Sequence, residues 1–106
     1  MTWAFARRLN GNDVTANAMT PGLITETRLY RNAPAELFQR LSGYAGGRTS
    51  AQGADTLIWL ASDPELEGVT NKFFEEREEL ECEFRNEQNE EKLWKICEEL
   101  VNKNNL

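Results

Sequence analysis

A short apolar segment, residues 14–19, stops at Thr20-Pro21-Gly22, and this combination limits the folds open to the chain. Proline cannot donate a hydrogen bond to a neighbouring strand and glycine permits a sharp turn, so a strand must end here. Residues 2–10 before it have the apolar spacing of a helix that Gly11 ends, without a capping residue at the start. The chain is therefore expected to start inside an element. A short apolar strand between a helix and a Pro-Gly turn is typical of a parallel sheet covered on both faces.

Residues 23–48 predict a loop that contains a short helix, capped by Asn32 and ended by Gly46-Gly47. A long, partly ordered connection after a strand is typical of a functional lid. The next helix has the clearest signature, because Thr49 and Gln52 form a capping box. Its apolar face is predicted to consist of Ala54, Leu57, Ile58 and Ala61.

The last part of the chain predicts a strand at residues 69–74 and a helix at about residues 89–101, with fraying over residues 102–106. Nine of the seventeen residues from 75 to 91 are glutamate. The apolar residues in that stretch alternate, which predicts a weak edge strand through Leu80, Cys82 and Phe84.

Charge and composition exclude several functions. Of the net charge of −6, residues 1–64 carry +1 and residues 65–106 carry −7, which argues against binding to nucleic acid or an anionic membrane surface. The sequence has no histidine, so a Ser-His-Asp relay and a His-ligated zinc are excluded. No apolar run approaches the ~18 residues of a membrane span. No signal peptide is visible, and Cys82 and Cys97 predict two free thiols in a cytoplasmic protein, with a disulfide as the alternative.

Two stretches resemble the classical short-chain dehydrogenase/reductases. Residues 5–9 followed by 14–22 (FARRL, VTANAMTPG) are similar to that family's "ARRL…VTVNALHPG", and residues 49–69 are similar to its "QGA…YLASSPELEGV" stretch. Residues 93–100 resemble the tail of the retinol-dehydrogenase-like branch, and residues 21–31 resemble the protochlorophyllide-reductase-like branch. The order and spacing of these matches cover almost the whole chain.

The resemblance implies an α/β fold, namely the C-terminal portion of a Rossmann-type, doubly wound parallel sheet that is incomplete. Residues 1–74 would be the C-terminal segment of a nucleotide-binding domain, with a substrate lid at residues 23–48. Residues 75–106 would be an acidic connector and the last helix of the same domain. The family's mode of association implies a dimer surface at residues 50–74.

The resemblance also implies a nicotinamide site. Pro21 and Gly22 would shape the pocket, the Ile24 backbone would lie near the carboxamide, and the hydroxyl of Thr27 or Thr25 would bind the cofactor. The lid residues implied to contact substrate, for which ordinary helix packing is the alternative, are Leu29, Tyr30, Leu37, Phe38, Leu41 and Tyr44.

The family's catalytic motifs are missing. The sequence contains no Gly-rich phosphate loop, and neither tyrosine has a lysine four residues later, since Tyr30 is followed by Pro34 and Tyr44 by Arg48. The resemblance places that Tyr-x-x-x-Lys motif ahead of the first helix, with its lysine a few residues before Met1. Asn71 stands where family members commonly have glycine.

The sequence therefore predicts a fragment of a nicotinamide-dependent oxidoreductase that acts on a carbonyl or alcohol of a small apolar substrate and is catalytically incomplete alone. NAD or NADP would bind the complete parent and would not bind this chain tightly. Its partner would be the missing N-terminal half or another copy of itself. The alternative is a non-enzymatic, truncated interaction module that binds a partner through the acidic residues 65–106 or the former dimer surface. A strand at residues 14–19 left unpaired on both sides would also invite strand addition or self-association.

Overall fold

Four helices and three strands lie along residues 1–104, the part of the chain that the computed structural model describes. The helices are α1 (Thr2–Leu9), α2 (Ala35–Ser42), α3 (Ser50–Ser62) and α4 (Glu87–Asn104). The strands are β1 (Ala18–Thr20), β2 (Phe73–Glu75) and β3 (Glu78–Leu80), with 3-10 turns at Arg28–Tyr30 and Pro64–Leu66. The strands form one partly parallel sheet in the order β1-β2-β3. This is the incomplete α/β arrangement that the sequence predicts.

The first strand is shorter than the predicted residues 14–19 and begins later. Before β1, side chains take hydrogen bonds that a backbone ladder would otherwise form. The Asn17 carboxamide donates to the Val69 carbonyl at 2.8 Å and accepts from the Lys72 N–H at 3.1 Å, and the Thr70 hydroxyl accepts from the Ala16 N–H at 3.0 Å. A regular ladder therefore starts only at Ala18.

Two further predictions for this strand are wrong, namely that it is buried on both faces and, in the alternative interpretation, that it is unpaired on both sides. All three residues of β1 are half-buried, and β2 pairs along one of its sides, so one edge is open within the described chain. The second strand, β2, begins at Phe73 and not at the predicted residue 69. Residues 69–72 pair instead through the Asn17 and Thr70 side chains and through single backbone bonds, such as the one from the Asn71 N–H to the Ala16 carbonyl at 2.8 Å.

The chain divides into two compact units. Unit 1 contains Met1–Ala18, Glu67–Phe73 and the chain from Leu80 onward, and unit 2 contains Met19–Leu66 and Phe74–Glu79.

In unit 1, ion pairs join α1 to α4. Arg7 donates to Glu90 at 2.7 Å and to Glu91 at 2.8 Å, and Arg8 donates to Glu91 at 2.7 Å. Glu90 is only 8% exposed, and its second carboxylate oxygen accepts from the Asn86 N–H at 3.0 Å. Because both oxygens of this buried carboxylate have donors, its burial is compensated.

Aromatic contacts reinforce the same pair of helices. The rings of Phe5 and Trp94 meet edge to face with centroids 4.9 Å apart, and the Arg8 guanidinium lies 3.9 Å from the Trp94 ring centroid. Both geometries are favourable for aromatic rings, whose faces are electron-rich and whose edges are electron-poor.

Helix α4 is longer than the predicted residues 89–101. It begins at Glu87 because the Asn86 carboxamide accepts from the Asn89 N–H at 2.9 Å and so caps the first turn. At the other end, the Asn104 side chain donates to the Leu100 carbonyl at 2.8 Å. The predicted fraying is thus wrong for residues 102–104, and residues 105–106 lie outside the described residues.

Asn71 adopts a left-handed backbone conformation, with φ of 67°. Glycine is the usual residue for such a conformation, and asparagine is among the few others that tolerate it. The Asn71 carboxamide accepts from Arg85 at 2.6 Å, and the Arg85 guanidinium lies 4.7 Å from the Trp3 ring centroid. The asparagine therefore keeps the glycine-like turn and adds a side-chain anchor.

In unit 2, α3 begins as predicted and α2 does not. Thr49 accepts from the Gln52 N–H at 3.1 Å while the Gln52 side chain accepts from the Thr49 N–H at 2.8 Å, which completes the capping box. Helix α2 has Pro34 at its N-cap position in place of Asn32, and ends at Gly43, before Gly46-Gly47. Proline fixes its own φ angle, and the N–H that it lacks would have no partner at the start of a helix. Pro34 can therefore begin the helix although its side chain makes no capping hydrogen bond.

The packed face of α3 also differs from the predicted apolar face. Gly53 and Thr56 are its buried residues, whereas Leu57 and Ile58 are 57% and 62% exposed. A Cβ on Gly53 would overlap the Ile24 side chain and approach the Pro21 Cβ to 3.3 Å. The close approach of the Pro-Gly turn to Gly53 therefore decides which face of α3 is inward.

A tight turn at Glu76 and Arg77 joins β2 to β3, with φ values of 50° and 64°. Two consecutive positive φ values match the twist of a hairpin but disfavour side chains larger than glycine or asparagine. Arg77 compensates with two 2.7 Å bonds to the Asp55 carboxylate, and its N–H donates to the Thr56 hydroxyl at 3.1 Å.

The predicted edge strand through Leu80, Cys82 and Phe84 is therefore mostly wrong. Strand β3 ends at Leu80, and Phe84 is 92% exposed. The turn at Glu76 and Arg77 sets the position of β3, and only Leu80 of the alternating residues falls within its three residues.

The ion pairs of unit 1 predict an acid-sensitive stability. Hydrogen bonds from Arg8 and then Arg7 lower the pKa of Glu91 from 4.5 to about 2. Since the pKa is lower in the folded state, this stabilisation is complete above about pH 5 and is lost as the pH falls from there towards 2. We expect the thermal midpoint to fall over that window by circular dichroism, and less steeply in Glu91→Gln. Glu99→Gln is the charge-matched control on the same helix, and an identical slope in Glu91→Gln would contradict the assignment.

Gly53→Ala should destabilise unit 2. The new methyl group must displace Ile24, which costs about 1–3 kcal/mol for overpacking and outweighs the ~1 kcal/mol by which alanine favours a helix. Gly43→Ala is the control, because its Cβ would lie 3.4 Å from the nearest atom, the Gln39 carbonyl oxygen, with an ordinary negative φ. Urea unfolding measures both changes, and a Gly53→Ala chain as stable as the original would show that the close approach is unimportant.

Candidate functional site

An open, largely apolar groove of about 450 Å³ lies beside the Pro-Gly turn in unit 2. The segment that follows β1 forms one wall, and the first turns of α3 form the other. The lining residues are Met19, Pro21, Gly22, Ile24, Thr27, Leu29, Tyr30, Ser50, Gly53, Ala54 and Leu57.

The groove brings together most of the residues predicted to hold the cofactor. Pro21, Gly22, Ile24 and Thr27 all line it, together with Leu29 and Tyr30 from the predicted substrate set. Thr25 does not line it. Its side chain lies against Gly47, where an added Cβ would approach the Thr25 hydroxyl oxygen to 2.9 Å.

The other predicted substrate residues lie outside this groove. Leu37, Phe38 and Tyr44 are 44%, 52% and 58% exposed, and Leu41 is half-buried. The Tyr44 ring lies over Gly46, where an added Cβ would approach the Tyr44 hydroxyl oxygen to 3.0 Å. Of the predicted lid, the segment before α2 lines the groove, and helix α2 itself contributes no side chain to it.

The turn that forms one wall is fixed by backbone pairing. Gly22 has φ of 73°, which a side chain would strain. A short parallel bridge follows, in which the Arg48 N–H donates to the Leu23 carbonyl at 2.8 Å and the Thr25 N–H donates to the Arg48 carbonyl at 3.3 Å. Because successive backbone groups in an extended segment point to opposite sides, the N–H and C=O of Ile24 point away from Arg48.

Polar contacts hold the rest of the wall. The Thr27 hydroxyl accepts from the Leu29 N–H at 3.3 Å and caps the 3-10 turn. The Glu26 carboxylate accepts from the Ser50 N–H at the start of α3, and this backbone hydrogen bond, followed by one from the Ser50 side chain, lowers the pKa of Glu26. An ionised carboxylate at a helix N-terminus is stabilised by the helix dipole.

Arg48, which the sequence marks only as a missing lysine, braces the same turn. Its guanidinium donates to the Pro21 carbonyl at 3.2 Å and to the Gln52 carbonyl at 3.0 Å. No local pattern signals this role, because both acceptors are backbone atoms. Met19, Ser50, Gly53, Ala54 and Leu57 are further lining residues that the sequence does not single out as a site, although all lie within the matched stretches.

One titratable side chain lines the groove. Tyr30 is in the lining, but no lysine is. Within residues 1–104, no group of three or more Cys, Asp or Glu could hold a metal ion, and no helix is long and apolar enough to cross a membrane. Cys82 and Cys97 are free thiols, as predicted.

Comparison with known proteins finds dehydrogenases. The chain is 39% identical over 106 residues to retinol dehydrogenase 14 of Homo sapiens, an alignment that covers 94% of this chain and 31% of that protein. Polyprenol dehydrogenase of Mus musculus is 36% identical over 79% of this chain and 26% of its own length. A probable oxidoreductase of Streptomyces lividans is 36% identical over 70% of this chain and 28% of its own length.

The chain thus spans less than a third of these relatives. No protein-family model matches it, and no solved structure matches it. The relatives and the incomplete α/β fold agree with the family indicated by the Pro-Gly and QGA stretches. In sequence, the chain matches the C-terminal part of the short-chain dehydrogenase/reductases, and its incomplete α/β fold is consistent with that family.

Proposed function

We propose that the chain supplies one wall of the nicotinamide pocket and part of the substrate lid of an oxidoreductase that interconverts a carbonyl and an alcohol on an apolar substrate. The observation that carries this proposal is the groove that Pro21, Gly22, Ile24 and Thr27 share with Leu29 and Tyr30. Cofactor and substrate residues must adjoin in such an enzyme, because hydride passes directly between the two molecules.

The wall has the chemistry that a nicotinamide ring requires. A carboxamide has a donor and an acceptor, and the Ile24 N–H and C=O, which the bridge to Arg48 does not use, match that pair. Gly22 lets the backbone come close, and the apolar lining suits the face of the ring. NAD or NADP, when bound, supplies the hydride chemistry, and the residues of this chain bind and orient it.

Proton transfer in this reaction requires groups from outside the chain. A tyrosine exchanges a proton with the carbonyl oxygen most readily when a neighbouring cation lowers its pKa. Neither Tyr30 nor Tyr44 has a lysine four residues on. We propose the missing N-terminal half of the parent, or another copy of this chain, as the partner, in a cytoplasmic oligomer. The comparisons do not support the alternative of a non-enzymatic interaction module.

Titration of the ¹⁵N-labelled chain with NADH and NADPH tests the binding role. We expect amide shifts confined to the two walls of the groove, the segment from Gly22 to Tyr30 and the first turns of α3, without saturation, because the rest of the pocket is absent. ADP-ribose, which lacks the nicotinamide, is the matched control and should leave those amides unchanged. Shifts elsewhere, or none, would contradict the proposed wall, and micromolar affinity by calorimetry would contradict the incompleteness.

The choice between Thr27 and Thr25 is open to a paired substitution. Thr27 lines the groove and Thr25 faces Gly47, so Thr27→Val should reduce the NADH-dependent shifts while Thr25→Val leaves them. Both variants lose one hydroxyl and keep the β-branched shape. Equal effects of the two variants on the NADH-dependent shifts would contradict the assignment to Thr27.

A further inference from the structure

The Arg48 side chain connects three segments of unit 2 that are far apart in sequence. Nη1 lies 3.2 Å from the Pro21 carbonyl and 3.3 Å from the Glu76 carboxylate, and Nη2 lies 3.0 Å from the Gln52 carbonyl. The Arg48 side chain is 19% exposed and the Glu76 side chain 66% exposed, so the guanidinium is partly shielded from water while the carboxylate that faces it is open to solvent. A shielded, charge-assisted hydrogen bond is stronger than one on an open surface.

We propose that Arg48 is a positioning residue for the nicotinamide wall, and that Glu76 holds Arg48 in place. This inference rests on the proposed function, because a nicotinamide site requires the Pro-Gly turn to keep one conformation. Arg48 acts through the turn and does not itself line the groove.

The geometry explains why this position needs arginine. Two carbonyls on different segments accept from the two ends of one planar guanidinium, which is a rigid fork of donors. Lysine has a single ammonium on a flexible stem and would not span both carbonyls in the same way. The Arg48 Cδ also lies 3.1 Å from the position of a Cβ on Gly22, so the stem packs against the turn that the guanidinium holds.

Glu76 shows the other half of the arrangement. It occupies a left-handed backbone position, with φ of 50°, where asparagine or glycine would be favoured. The pairing of Arg77 with Asp55 holds this turn, and the Glu76 carboxylate reaches Arg48 from it. An unfavourable turn residue whose side chain meets a half-buried cation is consistent with a role beyond closing the hairpin.

A substitution of Glu76 can distinguish a positioning role of Arg48 from a general contribution to the stability of the fold. Asparagine should favour the turn itself, yet its shorter, neutral side chain cannot replace the carboxylate at Arg48. Glu76→Asn should therefore keep or raise the thermal midpoint while loosening the Pro-Gly turn. Glu78→Gln removes an exposed carboxylate two residues away and is the matched control.

Amide hydrogen exchange in the full chain measures the loosening. In Arg48→Met we expect exchange at the amides of Thr25 and residue 48 to rise about tenfold, the effect of losing one net hydrogen bond to a charged group. In Glu76→Asn, which removes an ion pair whose carboxylate is 66% exposed, we expect a smaller rise of about two- to fivefold at the same amides. Arg48→Lys should fall between Arg48→Met and the original chain. The α3 amides near Leu57 should change little in Glu76→Asn and in Glu78→Gln.

Unchanged exchange at Thr25 and Arg48, or a rise that is equal throughout α3 in both Arg48→Met and Glu76→Asn, would overturn the positioning role. The NADH titration distinguishes this failure from failure of the proposed function. Loss of the NADH-dependent shift at Ile24 in Glu76→Asn, but not in Glu78→Gln, supports the inference. If the variants show the exchange changes but the original chain shows no NADH-dependent shift, the nicotinamide role is refuted. Arg48 would then remain a residue that holds the turn.

Discussion

The Pro-Gly turn after β1 is the constraint on which unit 2 depends. Proline ends the strand, Gly22 adopts a left-handed backbone conformation, and the segment that follows pairs with Arg48 before α3 begins. The segment then packs so closely on α3 at Gly53 that a Cβ there would overlap the Ile24 side chain. One loop thus ends the strand, selects the packed face of the helix and forms a wall of the groove.

Local signals predict some of these features well. The capping box at Thr49, the end of α1 at Gly11 and the stop at Pro21 each depend on a residue and its close neighbours, and each is present. Four residues predicted to form a cofactor site share one groove because they lie within seven positions of one turn. Proximity in sequence here implies proximity in space.

Features that depend on distant residues could not be predicted. The inward face of α3 is set by contact with Ile24 and not by its own apolar pattern, so Leu57 and Ile58 are exposed despite that pattern. The left-handed turn at Glu76 is held by Asp55, about twenty positions earlier. Arg48 binds carbonyl groups, and a carbonyl has no signature in the side-chain sequence.

We propose that the groove and its brace are half of a reaction site, one that would orient a nicotinamide and that has no paired tyrosine and lysine. The transcript that encodes the chain tests this division directly. Sequencing through the region ahead of Met1 should find an in-frame Tyr-x-x-x-Lys whose lysine lies a few residues upstream, with a Gly-rich loop further ahead. An untranslated region there, with neither motif in any frame, would contradict the account.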